Sequence, residues 1–371
     1  MTRKAKLLDI AQALGISTGT VHRALHNHRG VSPMTKARVL QMAKTLHYRP
    51  NLAARYLSTR RNLRISINTL QGTTSFWDEV RSGIAEAARS LVMENVELEY
   101  RTYPRLGEGE EEAFEAALEA GVNGIITFPS RPQGMHGRMR RASRKGIPVV
   151  CVATDAPQTG RLAVVSIDAL GSGALAADLM GTFLRGEGRV GVTLSASGIT
   201  EHTEKYRAFK DTLKRFYPLI ETVEPIEDHD VEAEAYEKCR ALFESRPDLK
   251  GMYVTTEASV PVLRAARDAG ILENLKVITT DLFPALIPEI CSGAVAATIY
   301  QRPRAQGRMA FRILHDFLVE GECPAYQVTL APHIVMRGNL DYFLQNQTRE
   351  SSARLGHKAK SAAPVLSEYY S

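Results

Sequence analysis

The chain has 371 residues, of which 44% are hydrophobic and 24% charged, the composition of a globular protein too long for one ordinary domain. No run approaches the roughly 20 apolar residues that a membrane helix needs, and none could serve as a secretion signal, so a cytoplasmic protein is expected. Residues 1–64 hold thirteen Lys and Arg against the single acid Asp9, a net +12; the whole chain is +6, so residues 65–371 carry −6, and a basic head on an acidic body points to nucleic-acid contact at one end only.

Three short helices are predicted in the head. The first spans about Leu7 to Leu14, with Leu7, Ile10, Ala11 and Leu14 on one face. Gly15 follows where a left-handed turn residue is wanted. Ser17 is an N-cap candidate for a second helix, about Thr18 to Leu25. Ser32 and Pro33 open a third, about Pro33 to Leu46. Two helices joined by so short a turn make a helix-turn-helix, whose second helix enters the major groove. An Arg there can grip guanine through two acceptors, and Arg23 fits that role. Ser17, Thr20 and His22 can hydrogen-bond phosphate. His22 and His26 stand at i, i+4 as zinc ligands can, but no third ligand pattern supports a metal.

The run Asp9-Ile10-Ala11-x-x-Leu14-Gly15-Ile16-Ser17-x-x-Thr20-Val21-x-Arg23-x-Leu25, with Val31-Ser32 and Tyr48-Arg49-Pro50-Asn51 after it, resembles the start of the lactose/galactose repressor (LacI/GalR) family. The resemblance implies base contacts from Thr18, Gly19 and Arg23, and backbone contacts from Ser17, Thr20 and Asn27, beside the phosphate contact already read for His22. It implies that residues 50–61 form a hinge helix that folds on DNA. There Leu57 would be inserted into the minor groove with Ala54 beside it, unstacking a base step. It also implies a homodimer on a pseudo-palindromic double-stranded operator. Gly19 has no side chain to read a base and His22 replaces a usually small residue, which bears on the operator sequence.

From residue 62 the pattern changes to alternating strand and helix. Strands are predicted at Arg64–Leu70, Val96–Thr102, Gly124–Phe128, Pro148–Val152, Ala163–Ile167, Arg189–Thr193, Gly251–Val254, Lys276–Thr279 and Ala294–Ile299. Helices are predicted at Trp77–Met93, Glu110–Ala120, Asp168–Arg185, Glu201–Phe216, Val231–Ser245, Val260–Ala269 and Arg304–Val319. Repeated βα units imply parallel sheets with helices on both faces. So long a stretch implies two lobes. The expected architecture is therefore an all-α headpiece (1–49), a linker (50–61), a two-lobed α/β core (62–346) and a disordered polar tail (347–371). Cys151, Cys239, Cys291 and Cys323 form no C-x-x-C pair, so no metal cage, disulfide framework or cofactor is expected.

Ligands in such folds bind beyond the C-terminal ends of strands. Phe76 and Trp77 follow the first strand, and flat rings stack on the C–H face of a sugar. Asp155, Asp281 and Gln301 follow later strands and suit hydroxyl groups. The alternatives are core positions for Phe76 and Trp77, a turn for Asp155 and a helix cap for Asp281. The strings Ser75-Phe76-Trp77-x-x-Val80-x-x-Gly83, Thr154-Asp155-Ala156-Pro157, Ser166-Ile167-Asp168, Thr279-Thr280-Asp281 and Gly293-x-Val295-x-Ala297-Thr298-Ile299-x-Gln301-x-Pro303-x-x-x-Gly307 are similar to the type I periplasmic sugar-binding fold in its regulator form. The resemblance implies that Phe76, Trp77, Asp155, Asp281 and Gln301 line an effector cleft, and Thr256 joins them because an Asn or Asp usual after the Gly251–Val254 strand is represented here by Thr255, Thr256 and Glu257. An acid often found two residues before Asp155 is Ala153 here. A usual arginine near residues 204–209 is replaced at best by Lys205 or Arg207. The function expected is a DNA-binding regulator, a repressor controlled by a small-molecule effector such as a sugar. Two rivals are an uptake protein, which the basic head opposes, and an enzyme, for which no phosphate loop, G-x-S-x-G or H-E-x-x-H is present.

Overall fold

The computed structural model describes residues 7–25, 31–46, 62–71, 75–91, 96–105 and 107–345. Helices α1 (Leu7–Leu14), α2 (Thr18–Leu25) and α3 (Pro33–Thr45) form the head. Gly15 takes φ +63° between the first two, a conformation that costs glycine little. Ser17 Oγ accepts from Thr20 N at 3.1 Å and Ser32 Oγ from Thr35 N at 3.1 Å, so both predicted caps close the first turn of their helices. Ile10, Ala11, Val21, Ala24 and Val39 are buried between the three helices.

The remaining described residues fold as two α/β lobes. Lobe 1 holds β1 (Leu63–Leu70), α4 (Ser75–Arg89), β2 (Val96–Tyr103), α5 (Glu110–Glu119), β3 (Gly124–Thr127), α6 (Pro132–Arg144), β4 (Val149–Val152) and β5 (Ala163–Ile167). Lobe 2 holds α7 (Ala169–Phe183), β6 (Glu187–Leu194), α8 (Thr200–Phe216), β7 (Leu219–Thr222), β8 (Ile226–Glu227), α9 (Glu232–Ser245), β9 (Leu249–Val254), α10 (Ser259–Asp268), β10 (Lys276–Thr280), α11 (Ile287–Ser292) and β11 (Ala297–Tyr300). The chain then returns to lobe 1 for α12 (Pro303–Glu320) and β12 (Gln327–Leu330), and ends in lobe 2 with β13 (His333–Val335). Among the described residues the sheets run β12-β5-β4-β3-β1-β2 and β13-β11-β10-β9-β6-β7, with β8 also on β6. Pairing is parallel, as the repeated βα units imply, except for β11 with β13.

Three short segments therefore connect the lobes: 167–169, 300–303 and 330–333. In each lobe two helices cross where a glycine lets backbones touch. A Cβ on Gly83 of α4 would lie 2.0 Å from Arg304 O of α12, and one on Gly307 2.1 Å from Val80 O. In lobe 2 a Cβ on Gly173 of α7 would lie 2.1 Å from Lys205 O of α8.

The structure differs from the sequence reading in places. Helix α6 was not foreseen: its buried face is only Pro132, Met135, Met139 and Ala142, and Gly134 and Gly137 lower its helix propensity. Strands β7, β8, β12 and β13 are short, and α11 spans one and a half turns, too short to show a period. The strand predicted from Ala294 begins at Ala297, because Gly293 at φ +85° and Val295 N bonded to Glu289 O still belong to the preceding turn. Among the described residues no helix is long and apolar enough to cross a membrane. The predicted linker 50–61 and tail 347–371 lie outside the described residues.

Candidate functional site

The strand ends of both lobes face a cavity of roughly 200 Å³. At about 30 Å³ per water this is room for about seven waters, the scale of one small ligand. Phe76 and Trp77 sit on its lobe 1 side at the start of α4, with Leu70 from the end of β1 and Phe128 from the end of β3. Trp77 is 5% exposed and stands edge-on to Phe76 and Phe128, ring centroids 4.9 and 4.7 Å away. Trp77 thus belongs both to the lobe 1 core and to the cavity wall.

Lobe 2 supplies polar groups. Asp281 follows β10 at φ +65°. Its carboxylate accepts from Gln301 N at 3.0 Å and Gln301 Nε2 at 2.6 Å. It therefore caps the chain crossing at Gln301 rather than the helical turn after Phe283. Gln301 Oε1 accepts from Lys205 Nζ at 2.8 Å, and Lys205, itself buried, pairs with Glu201 at 2.5 Å. A buried chain Glu201–Lys205–Gln301–Asp281 thus ties α8 to β10 and to the second lobe crossing. Lys205, foreseen as a stand-in for the usual arginine, takes this linking position.

Thr256 is buried on the wall, where its hydroxyl accepts from Ala258 N and reaches Asp228 Oδ2 at 3.5 Å. Glu257 spans the cavity: its carboxylate accepts from Phe76 N at 2.5 Å and Ser75 N at 3.0 Å, the first turn of α4 in the opposite lobe. The exposed amides of a helix N-terminus favour such a negative group.

Burial sets the protonation of this wall. It pushes the Asp281 carboxyl up to about 6, against the hydrogen bond from Gln301. It pushes Glu257 up to about 8, helped by the charge of Asp281 and opposed by the amides of Phe76 and Ser75. Asp228, behind Thr256, rises to about 7, again chiefly through burial. Burial also pushes Glu201 up, but Lys205 and then His202 more than offset this and hold it low. His202 is lowered by burial despite Glu201.

Of the predicted effector residues, Phe76, Trp77, Thr256, Asp281 and Gln301 line the cavity and Asp155 does not. Asp155 is turned into lobe 1, where it accepts from Arg161 Nε and, at 2.6 Å, from Arg161 Nη2. The guanidinium also donates to Tyr326 O at 2.6 Å and lies 3.7 Å above the Tyr326 ring. A guanidinium so buried requires a carboxylate, and Asp155 is the one within reach. Ala153, at φ +65°, reaches the cavity instead. Glu257, one of three residues read in the place of a usual Asn or Asp, is on the wall, and charged or titratable wall residues not predicted include Arg105, Glu201, His202, His229 and Asp230. Backbone conformation marks the same place. Of the seven non-glycine positive φ values recorded among the described residues, four belong to wall residues: Ala153, His229, Asp230 and Asp281. Such conformations gather at ligand sites.

In the head, Ser17, Thr18 and Gly19 are exposed at the start of α2 and Thr20 is half-buried. A Cβ on Gly19 would meet nothing closer than Ser17 Oγ at 3.8 Å, so packing within the head does not demand glycine there. His22 and Arg23 lie on α2, but their side chains, with Asn27, Ala54 and Leu57, lie outside the described residues.

Residues 66–322 match the family described as periplasmic binding protein domain, and residues 6–51 match bacterial regulatory proteins, lacI family. Catabolite control protein A of Staphylococcus epidermidis is 23% identical over 340 residues, covering 90% of this chain and 98% of that protein. The HTH-type transcriptional regulator RegA of Clostridium saccharobutylicum is 31% identical over 126 residues, 33% of this chain and 36% of that one. Among solved structures, a glucose-galactose binding protein from Geobacillus stearothermophilus superposes with a TM-score of 0.70 at 24% identity, covering 76% of this chain and 99% of that one. A solute-binding protein from Agrobacterium vitis with bound D-fucose gives 0.71 at 21% identity, covering 75% and 97%. Below a quarter identity these likenesses speak for the fold of the core alone.

Proposed function

Taking as premise that the chain belongs to the lacI family of bacterial regulatory proteins, with a periplasmic-binding-protein core, we propose that it is a cytoplasmic repressor whose grip on operator DNA is set by a sugar held between its lobes. It is a DNA-binding transcriptional regulator, and in this reading the cavity binds an effector and catalyses nothing. The observation that carries the reading is the position of the cavity: its wall draws on both lobes, and Gln301 lies on a segment that joins them. A ligand that touches both walls favours one angle between the lobes. That preference reaches the DNA through the segment 50–61, which links the head (1–49) to the core (62–346).

The protein acts as a homodimer on two half-sites of a pseudo-palindrome. Thr18, Gly19, Arg23 and Leu57 contact bases, while Ser17, Thr20, His22, Asn27 and Ala54 contact the backbone. Asp155 is left out of the effector set. Coupling between the sites is reciprocal, so DNA changes effector affinity by the factor by which effector changes DNA affinity.

The test is selection of random duplex DNA by the full-length protein, beside Arg23→Ala. The wild type should enrich a pseudo-palindrome, and Arg23→Ala should lose roughly 1–3 kcal/mol with relaxed preference at one base pair. Uniform weakening would assign Arg23 to phosphate; no enriched sequence from the wild type would overturn the operator reading.

A further inference from the structure

We propose that the effector is a protonated amino sugar, whose ring packs on Trp77 while its ammonium is received by the lobe 2 carboxylates around Glu257. This rests on the reading of the cavity as the effector site and narrows it by charge.

Carboxyl groups outnumber buried cations on the wall. Glu201 and Asp281 are buried and Glu257 is half-buried, and the buried cation among them is Lys205. Lys205 is already engaged by Glu201 and Gln301, so it offsets one carboxylate and has no second to spare. Asp228 adds a further buried carboxyl behind Thr256. At the rim the exposed Asp230 and Arg105 both line the cavity, and His229 is held by Glu234 and Glu227. Burial lowers the pKa of His202, against the charge of Glu201.

An anionic effector, such as a sugar acid or sugar phosphate, would add to this excess in a medium where charges are poorly screened. A neutral sugar would satisfy hydrogen bonds but leave the Asp281 and Glu257 carboxyls without a cation. An ammonium supplies one. In the empty cavity the Glu257 carboxyl is pushed up to about 8, first by burial and then by Asp281. A bound cation should displace that proton.

A second feature independently calls for a ligand. His202 lines the cavity with its side chain 10% exposed, and its Nδ1 has no hydrogen-bond partner among the described residues. Buried polar atoms are rarely left so. A donor on the ligand, hydroxyl or ammonium, would satisfy it.

Trp77 is the single tryptophan of the chain, so its emission reports on the cavity alone. The full-length protein is titrated at neutral pH with D-glucosamine and D-galactosamine, with their neutral parents, with N-acetyl-D-glucosamine and with D-glucuronate. An amino sugar should bind at least about tenfold tighter than its neutral parent, the discrimination that one close charge pair supplies. The N-acetyl form should lose that margin and the uronate should not bind. Calorimetry in buffers of different ionisation enthalpy should show proton release with the amino sugar. Glu257→Gln should bring the ratio of amino sugar to parent toward one. Asp230→Asn, at the exposed rim, serves the same purpose should Glu257→Gln fail to fold. Equal or tighter binding of neutral sugars, or binding of the uronate, overturns the amino-sugar inference and leaves the effector cavity standing. Silence of Trp77 toward every sugar, with calorimetry flat as well, overturns the sugar reading itself.

Discussion

Lobe 1 meets the cavity with Leu70, Phe76, Trp77, Pro104, Phe128 and Ala153 and, at the exposed rim, Arg105, whereas lobe 2 lines its interior with polar groups such as Glu201, His202, Thr256, Glu257, Asp281 and Gln301. The two lobes share one architecture, parallel strands whose C-terminal ends point at the ligand, yet they present opposite chemistry there. Lobe 1 does have a carboxylate near its rim, but Asp155 is spent on Arg161, and the nearby position that faces inward is Ala153. An apolar wall holds a ring by its face with little regard to which hydroxyls it carries. A polar wall reads hydroxyls and charge, because each donor or acceptor left unpaired in a buried site is penalised. On the proposed reading affinity and selectivity fall on different lobes, which Glu257 links at the start of α4.

The largest expected effect comes from the polar wall. Asp281→Asn replaces an acceptor that serves Gln301 twice with a group that must donate from one of its two positions. Effector affinity should fall by about 1.5–3 kcal/mol, the range for a hydrogen bond to a charged group, with discrimination between sugars lost at the same time. Calorimetry across the sugar panel measures both. A uniform loss with selectivity intact would contradict the division between walls. Trp77→Phe should act less and act evenly. The smaller ring keeps an aromatic face, and roughly 1 kcal/mol of stacking is lost for every sugar alike. A change confined to one sugar would show that lobe 1 also selects.

Much of this division is legible in the sequence and part of it is not. Trp77, Asp281 and Gln301 stand at the ends of strands whose apolar runs are plain, so position alone marks them. Asp155 looks the same by that criterion. What separates it from Asp281 is tertiary: Arg161 is buried against Tyr326, 165 residues further along, and no local pattern announces that contact. His229 and Asp230 follow β8, a strand of two residues, too short to mark a strand end. Glu201 and His202 lie in the first turn of α8, where acidic residues are common for reasons of the helix dipole. The head was the most legible region, since caps, turn glycine and apolar face are all local signals. The carboxylate excess became visible only when four separate segments were brought to one wall.

The smallest effect is on stability, and it tests whether the polar wall is strained by its own charge. The carboxyls of Glu257 and Asp228 have folded pKa values of about 8 and about 7, above the ordinary carboxylate range of an unfolded chain. The folded state therefore binds these protons more tightly, so the stability they contribute is full at low pH and is lost as pH rises through the folded values. His202, lowered by burial, works in the opposite sense below its ordinary value near 6.5. The window that isolates the carboxyls is accordingly about pH 6.5 to 8.5. Across it the melting temperature of the ligand-free protein should fall by a few degrees, and Glu257→Gln should flatten that slope. Lobe 1, with no carboxyl on its side of the cavity among the described residues, supplies no counterpart to this term. A wild-type melting temperature that stays level or rises across the window would mean that the wall carries its charge without strain, and the contrast between the lobes would then be one of polarity alone.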